Sequence, residues 1–211
     1  MRLTRAETRQ RKRESLIDAA IAEIAAKGYA AARLDDIADR VDVTIGSIYS
    51  IFGSKQQLLV AVVERLGAEL IAATADLEDP ELSLEQVLHG IGAAWFRAAT
   101  APLARQAFAF EMELLSTVLR DPSVSSVLGE TASARDHARF AQLLTDRAIT
   151  EDLIGPRTTN DQARHLALIL TAWMTGLAQQ AQLVPETLQE DDFVRSAVAA
   201  VTLLPRIDTA T

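Results

Sequence analysis

Residues 34–55, with the sequence LDDIADRVDVTIGSIYSIFGSK, constrain the fold more than any other part of the chain. Apolar residues recur there at helical spacing and predict a first short helix: Leu34, Ile37, Ala38 and Val41. Asp42 and Val43 interrupt this pattern, and Thr44 is a favourable N-cap for a second helix, residues 45–51. Helices this short are unstable alone in water, so they must pack on other elements. The arrangement is typical of a helix-turn-helix, which presents its second helix to the major groove of DNA.

The charge of the chain is divided unevenly between its two ends. The net charge is −8, yet residues 1–65 carry a small positive excess and the first thirteen residues hold six basic side chains against one acidic. Salt screens charges beyond about 8–10 Å, so attraction to phosphate is local. A basic end can therefore bind DNA while the acidic remainder keeps the protein soluble.

Composition excludes several classes of protein. The chain has 211 residues, 49% of them hydrophobic, and no cysteine. It is therefore too apolar to be disordered, and it has neither disulfides nor a cysteine nucleophile. The first twenty residues lack the apolar core of a signal peptide, and no apolar run is long enough to span a membrane. We expect a cytoplasmic protein without a membrane segment.

The whole chain reads as helical, because alanine, leucine, arginine and glutamate dominate and alternating β-branched runs are missing. We predict an all-α fold of about nine helices, with an N-terminal domain at residues 1–54 and a C-terminal helical domain at residues 55–211. Capping residues and apolar periodicity place helices at residues 7–27, 34–41, 45–51, 55–77, 84–101, 102–120, 121–148, 160–184 and 190–204. Gly28 is the predicted C-cap of the first helix.

Residues 12–66 resemble the DNA-binding region of TetR-type (tetracycline-repressor-like) transcriptional regulators. The resemblance rests on residues in order and at the family's spacing: Leu16–Ile24, Gly28–Tyr29, Asp36–Ile37–Ala38, Val43–Thr44, Gly46, Tyr49, Phe52, Ser54, Lys55, Leu58 and Leu59. It covers about a quarter of the chain. It implies a three-helix DNA-binding unit, and a variable all-α domain that binds a small-molecule effector and forms a homodimer.

The resemblance also implies which side chains touch DNA. With two basic residues of the N-terminal segment, the predicted contacts are Arg11, Arg13, Thr44, Ile45, Gly46, Ser47, Tyr49, Ser50 and Lys55. Lys55 begins the next helix, where an ammonium group and the helix dipole both favour a phosphate. Phe52 is expected in the core, where it would lock the recognition helix onto the first helix.

The chain departs from the family pattern at three places. Ala32 and Arg33 stand where a threonine or serine usually caps the second helix. Asp42 stands where the turn usually has glycine, although Asp tolerates the left-handed conformation at some cost. Ile45 replaces a residue that is usually polar or basic. The lost contact is replaced either by apolar contact with a thymine methyl or by nothing.

The basic segment Arg2–Arg13 has two interpretations. It reaches phosphates or the adjacent minor groove, as N-terminal arms do, or it is a frayed, solvated terminus.

Residues 66–211 contain an aromatic cluster that has two interpretations. Four of the ten aromatic residues of the chain lie between residues 95 and 110. Such clusters are usually plain core, but in a TetR-like protein the middle helices line the effector cavity. The candidate pocket residues are Trp95, Phe96, Phe108, Glu111, Met112, Phe140 and Trp173. A buried Glu111 would favour a cationic or hydrogen-bonding effector.

The two C-terminal helices each carry an apolar face. The first has Leu166, Ile169, Leu170, Trp173, Met174 and Leu177, and the second has Phe193, Val194, Ala197, Val198, Val201 and Leu204. Two such helices from each subunit would form a four-helix dimer interface. The alternative is that both pack on their own domain. Dimerisation is favoured because one helix-turn-helix reads few bases.

No catalytic or metal-binding constellation is evident, and no cofactor is predicted. The three histidines, His89, His137 and His165, lack ligand spacing. The favoured function is a homodimeric repressor that an effector releases from a palindromic double-stranded DNA operator. The alternatives are an all-α enzyme or small-molecule carrier without DNA binding, an architectural DNA binder without ligand control, and an activator.

Overall fold

The computed structural model describes residues 4–28, 31–102, 104–120, 132–149 and 155–204. Within these ranges the chain is all-α, as predicted, with nine α-helices and two short 3-10 turns. The α-helices are α1 (Arg5–Lys27), α2 (Leu34–Asp39), α3 (Ile45–Phe52), α4 (Lys55–Ala73), α5 (Leu84–Thr100), α6 (Ala104–Arg120), α7 (Ala132–Leu144), α8 (Asn160–Leu183) and α9 (Glu190–Ala199). The 3-10 turns are Ala75–Glu78 and Ala200–Leu203.

Helix α1 begins earlier than predicted because residues upstream cap it. The Thr4 hydroxyl accepts a hydrogen bond from the backbone N–H of Glu7 at 3.2 Å, and the Glu7 carboxylate accepts one from the backbone N–H of Thr4 at 2.7 Å. This capping box satisfies two N–H groups that a helix start leaves open. Residues 5–13 are therefore helical, so the interpretation of a frayed terminus is wrong for them, and their contact with DNA phosphates stays a prediction. Arg2 lies outside the described residues.

The backbone around α2 and the turn that leads to α3 has the conformation that the sequence predicted. Arg33 occupies the N-cap of α2 and its side chain makes no capping hydrogen bond, as its place in the sequence suggested. Asp42 has φ 53°, in the left-handed region. Thr44 is the N-cap residue of α3, as predicted, although its side chain makes no capping hydrogen bond.

Capping residues predicted the starts of three later helices. The Ser54 hydroxyl accepts from the backbone N–H of Gln57 at 3.1 Å at the start of α4. Ser83 with Gln86, and Thr159 with Gln162, form capping boxes at the starts of α5 and α8. The long predicted helices at residues 55–77 and 190–204 each end in a 3-10 turn. The start of the predicted helix at residues 121–148 lies outside the described residues, and its described part ends at Leu144.

The chain forms two compact units, and their boundary differs from the predicted division after residue 54. The first unit contains residues 4–68 and 104–120, so helix α6 belongs with α1–α3 and most of α4. The second unit contains residues 69–102 and 132–204. Helix α6 packs on α1 within the first unit, where the Glu113 side chain lies against Gly28.

A continuous apolar core holds the second unit together. Helices α5, α7, α8 and α9 contribute its buried side chains, which include Leu88, Ile91, Phe140, Leu166, Leu170 and Phe193. The Cα of Gly92 lies so close to the α9 backbone that an added Cβ would stand 2.7 Å from the Cα of Val194. Glycine is therefore required for α5 and α9 to approach this closely.

A buried arginine fixes the loops of the second unit. The Arg147 side chain is nearly inaccessible and donates hydrogen bonds to the backbone carbonyls of Leu143 at 2.7 Å and Leu77 at 2.8 Å. A further carbonyl partner is Asp79. Burial lowers the pKa of this guanidinium from its usual value. Arg147 thus connects the end of α7 to the segment between α4 and α5.

None of the helices in the described part of the chain combines the length and hydropathy that crossing a lipid bilayer requires.

Candidate nucleic-acid interface

Helix α3 is held by one buried residue and presents the rest of its surface outward. The Ile48 side chain is 0% exposed, and it anchors α3 in the first unit. Tyr49 is 52% exposed and Ile45 is 36% exposed, although both are large side chains. Burying such side chains would be favourable, so their exposure marks a surface that is available to a partner.

The N-terminal turn of α3 carries a pair of hydroxyl groups that are hydrogen-bonded to each other. The Thr44 and Ser47 hydroxyl oxygens lie 3.3 Å apart, and the Ser50 side chain is exposed one turn further along. Gly46 is exposed, and a Cβ there would meet only the Thr44 hydroxyl at 3.6 Å. This surface offers hydroxyl donors and acceptors and a backbone that a partner can approach closely.

A network of ion pairs fixes α1 against α2. The Glu23 side chain of α1 is only 2% exposed and is paired with Lys27 and with the Arg40 Nε at 2.7 Å. Lys27 also binds Asp36 of α2 at 2.9 Å. The hydrogen bond from Lys27 lowers the pKa of Glu23, and Arg40 acts in the same direction. This network was not predicted from the sequence. The signal for it in the sequence is Glu23, a charged residue that interrupts the apolar stripe of α1.

Lys55 occupies a different environment from the one predicted. Its Nζ donates a hydrogen bond to the backbone carbonyl of Ala32 at 2.5 Å, and burial lowers the pKa of its ammonium group. The side chain therefore ties the start of α4 to the segment before α2. A phosphate contact by Lys55 stays a prediction.

The two predicted basic contacts on α1 have different surroundings. Arg11 is exposed. The Arg13 guanidinium lies 5.6 Å from the centroid of the Phe52 ring, so the two side chains form a cation–π pair between α1 and α3. Phe52 is only half-buried, and part of its expected packing is supplied by Arg13.

The seven predicted pocket residues do not fall in one compact unit. Phe108, Glu111 and Met112 lie on α6 in the first unit, and the other four lie in the second. Glu111 is exposed, so the expectation of a buried carboxylate is wrong. Met112 is 36% exposed.

Three of the remaining pocket candidates pack together in the second unit. Phe140 is fully buried in the core, as the plain-core interpretation expected. The Phe96 ring meets Phe193 edge-on, with centroids 5.6 Å apart. Trp95 packs against the same core, and its indole N–H is buried without an acceptor among the described residues. Trp173 is 40% exposed on α8.

The C-terminal helices bury most of the apolar faces that were predicted to form a dimer interface. On α8, Leu166, Leu170 and Met174 are all 0% exposed within their own subunit. On α9, Phe193 and Ala197 are likewise 0% exposed. These residues belong to the subunit core, so their assignment to the interface is wrong. Among the described residues at this end of the chain, the large apolar side chains that are exposed are Leu168, Trp173, Leu183, Val184 and Leu203.

Among the residues that the structure describes, no group of three His, Asp or Glu side chains is arranged to hold a metal ion.

The outward-facing α3, which follows α2 after a tight turn, is the arrangement of a helix-turn-helix DNA-binding unit. A sequence model of the family described as "Bacterial regulatory proteins, tetR family" matches residues 16–62, which include α2 and α3. The chain is 25% identical over 196 residues to the HTH-type transcriptional repressor KstR of Rhodococcus jostii, with 85% of this chain and 84% of that protein covered.

One further relative matches part of the chain, and one solved structure shares its fold. The HTH-type transcriptional repressor NicS of Pseudomonas putida is 31% identical over 88 residues, which cover 40% of this chain and 42% of that protein. The fold is similar to that of the fatty acid degradation regulator FadR from Bacillus halodurans, with a TM-score of 0.70, 17% identity, and 92% of this chain and 96% of that chain covered. Residues 16–62 thus match a DNA-binding region of the TetR type, and the chain as a whole is similar to TetR-type transcriptional repressors.

Proposed function

We propose that the protein is a homodimeric transcriptional repressor that binds a palindromic DNA operator and leaves it when a small-molecule effector binds. The observation that carries this proposal is the exposed outer face of α3, where Tyr49 is 52% exposed beside the exposed Ser50 hydroxyl. Two of the similar proteins are named transcriptional repressors, which supports repression over activation. Since the target is DNA, we propose that the protein acts in the cytoplasm.

The predicted DNA contacts divide by chemistry. Hydroxyl groups of Thr44, Ser47 and Ser50 suit phosphate oxygens or base edges. The exposed Ile45 suits the methyl group of a thymine, which hydrogen-bonding residues do not recognise. Lys55 is better suited to hold the segment before α2 in place than to bind a phosphate, because its ammonium group already donates a hydrogen bond to the Ala32 carbonyl.

The proposed dimer interface uses the outer face of α8 rather than the buried one. Leu168 is 58% exposed and Leu183 is 70% exposed, about four turns apart on the same helix. Leu168→Glu should convert the dimer to a monomer in size-exclusion chromatography with light scattering. Leu119→Glu on α6, where the leucine is 75% exposed, is the matched control. A Leu168→Glu protein that stays dimeric would remove this interface.

The proposed effector site lies in the second unit beside Trp95. A buried N–H without an acceptor costs stability, typically about 1–3 kcal/mol, so a ligand oxygen or nitrogen that accepts from it would recover that cost. We therefore propose an effector with an apolar body and a hydrogen-bond acceptor. Trp95→Phe keeps a smaller aromatic side chain and removes the N–H donor, so it should weaken effector-induced release of DNA without weakening DNA binding itself. Equal effector response in both proteins would rule out this donor.

Two helices are suited to carry the effector signal to α3. Helix α4 spans residues of both units, and α6 belongs to the first unit while its chain neighbours α5 and α7 belong to the second. An effector that favours one arrangement of these helices changes operator affinity by its ratio of affinities for the two arrangements. This proposal assigns no catalytic step to the protein.

DNA binding by α3 is tested with variants that leave the fold intact. Tyr49→Ala and Ser47→Ala should each weaken operator binding by about 5-fold to 150-fold, the range for loss of a base or phosphate contact. Thr187→Ala, which removes an exposed hydroxyl from the second unit, should bind as the wild type does. Fluorescence anisotropy with a labelled duplex measures the affinity, and thermal melting checks the fold. Unchanged affinity in both α3 variants would favour the alternative of a small-molecule-binding protein without DNA binding.

A further inference from the structure

An open cleft of about 440 Å³ lies between the N-terminal half of α1 and the start of α3, entirely within the first unit. Three cationic side chains of α1 line it: Arg5, Arg9 and Lys12. The hydroxyl-bearing residues of α3, among them Ser47 and Ser50, line the opposite side. None of the residues that line this cleft is acidic.

The cleft exists because α1 begins early. The capping box at Thr4 keeps residues 5–13 helical, and in a helix the positions i, i+4 and i+7 share one face. Arg5, Arg9 and Lys12 have this spacing and therefore form one basic stripe. A terminus without this cap would have to order the same cations on binding, at a cost in conformational entropy.

One hydrogen bond fixes the stripe relative to α3. The Arg9 Nη2 donates to the backbone carbonyl of Ser50 at 3.2 Å. Arg9 therefore spans from α1 to the C-terminal half of α3, and it has further N–H donors for a partner. Arg11 and Arg13, the basic residues that the sequence suggested as contacts, do not line the cleft.

The chemistry of the cleft suits phosphodiesters. Guanidinium and ammonium groups with neighbouring hydroxyls are the side chains that bind phosphate oxygens in DNA complexes. Seven residues of helix advance about 10 Å, so the stripe is longer than one phosphate group. A DNA strand carries one phosphate per about 3.4 Å of duplex axis, so more than one can lie along the stripe.

We propose that this α1 phosphate cleft binds successive phosphates of one DNA strand, with Arg5, Arg9 and Lys12 as the contacting cations. Binding there fixes the depth and angle at which α3 enters the major groove, because the cleft wall and the recognition helix share residues. The inference rests on the proposed function, since it assigns a second set of contacts to the same DNA-binding unit. In this proposal Arg5, Arg9 and Lys12 are the main basic contacts with DNA, in place of Arg11 and Arg13.

The test compares two single variants that remove the same charge from the same helix. Arg9→Gln changes the cleft, and Arg11→Gln changes a residue outside it. Affinity for a fluorescein-labelled duplex of mixed sequence is measured with the full chain over a series of salt concentrations, because phosphate contacts do not depend on sequence. Arg9→Gln should lower the slope of log affinity against log salt by about 1, the value for one lost phosphate contact, while Arg11→Gln lowers it by less than about half of that.

A second variant separates charge from folding. Arg9→Lys keeps the charge and should restore most of the wild-type slope, even if it loses the hydrogen bond to Ser50. If Arg9→Gln and Arg11→Gln give equal slopes, the cleft assignment is overturned although the protein binds DNA. If the wild type shows no salt-dependent binding, the proposed function fails first. Inorganic phosphate and unlabelled duplex are also compared as competitors at matched ionic strength. If phosphate competes as strongly as the duplex, the cleft is a small-anion site and the DNA assignment is overturned.

Discussion

Helices α3 and α8 each divide into a buried and an exposed face, but the exposed faces differ in chemistry. On α3, Ile48 is 0% exposed while the neighbouring Tyr49 is 52% exposed beside hydroxyl groups. On α8, Leu166 is 0% exposed while Leu168 is 58% exposed. In both helices the inner face contributes stability. The outer face sets the partner, which we propose is a polyanion for α3 and a second subunit for α8.

The residues proposed to bind DNA and the residues that stabilise the fold lie in different parts of the molecule. The proposed contacts on α3 are exposed, so they contribute little to the free energy of unfolding of the isolated chain. The second unit has the extensive apolar core, and its buried side chains contribute stability without touching DNA. Substitutions in the two regions should therefore change different measurements.

The largest expected effect is a loss of stability in the second unit. Leu166→Ala removes a fully buried side chain and should lower the free energy of unfolding by about 2–5 kcal/mol. His165→Ala, at the adjacent exposed position, should change it by less than about 0.5 kcal/mol. Urea denaturation followed by circular dichroism measures both. Similar losses in the two variants would contradict the assignment of the inner face of α8.

A smaller effect is expected at the ion-pair network of the first unit. Glu23→Gln replaces a buried carboxylate that Lys27 and Arg40 bind, and should lower the free energy of unfolding at neutral pH by about 1–3 kcal/mol. The pKa of Glu23 is lowered in the folded state. Its contribution is therefore fully present above the usual carboxyl pKa and is lost as the pH falls through the lowered folded value.

The dependence of stability on pH therefore distinguishes Glu23 from an exposed carboxylate. The difference in stability between wild type and Glu23→Gln should shrink as the pH falls below about 4, when both proteins carry an uncharged side chain. Glu64→Gln, at an exposed position of α4, serves as the control. A stability difference that stays constant from neutral to acidic pH would show that Glu23 acts through shape and not through charge.

The smallest expected effect compares two threonine N-caps. The Thr159 hydroxyl accepts a hydrogen bond from the backbone N–H of Gln162 at 3.3 Å, so Thr159→Ala should lower the free energy of unfolding by about 1 kcal/mol. The Thr44 side chain makes no capping hydrogen bond. Thr44→Ala should therefore leave thermal melting nearly unchanged and weaken DNA binding instead. The reverse result, with Thr44→Ala the less stable protein, would mean that its hydroxyl caps α3 in solution.

Local signals predicted the parts of the fold that depend on a few neighbouring residues. The caps at Ser54, Ser83 and Thr159 and the left-handed backbone at Asp42 follow from the residue and its immediate neighbours. The order and spacing of residues 34–55 predicted α2 and α3 to within two residues at each end. The apolar stripes also predicted helices in the C-terminal region.

Tertiary packing decided what the sequence could not. An apolar stripe does not reveal whether it faces its own core or a partner, so Leu166, Leu170 and Phe193 were assigned to a dimer interface although they are core. The grouping of α6 with the first unit depends on long-range contacts with α1, which have no local signature. The cleft beside α3 was missed because it is formed by the packing of α1 against α3, which the helical spacing of Arg9 and Lys12 does not reveal.

Selection of DNA from a random pool by the full chain tests whether two copies of the outer face of α3 read DNA about one helical turn apart. The predicted result is enrichment of an approximately palindromic sequence with half-sites about 10 base pairs apart, and loss of that enrichment in Tyr49→Ala. A pool that shows no enriched sequence at low salt, or an enriched site without two-fold symmetry, would contradict it.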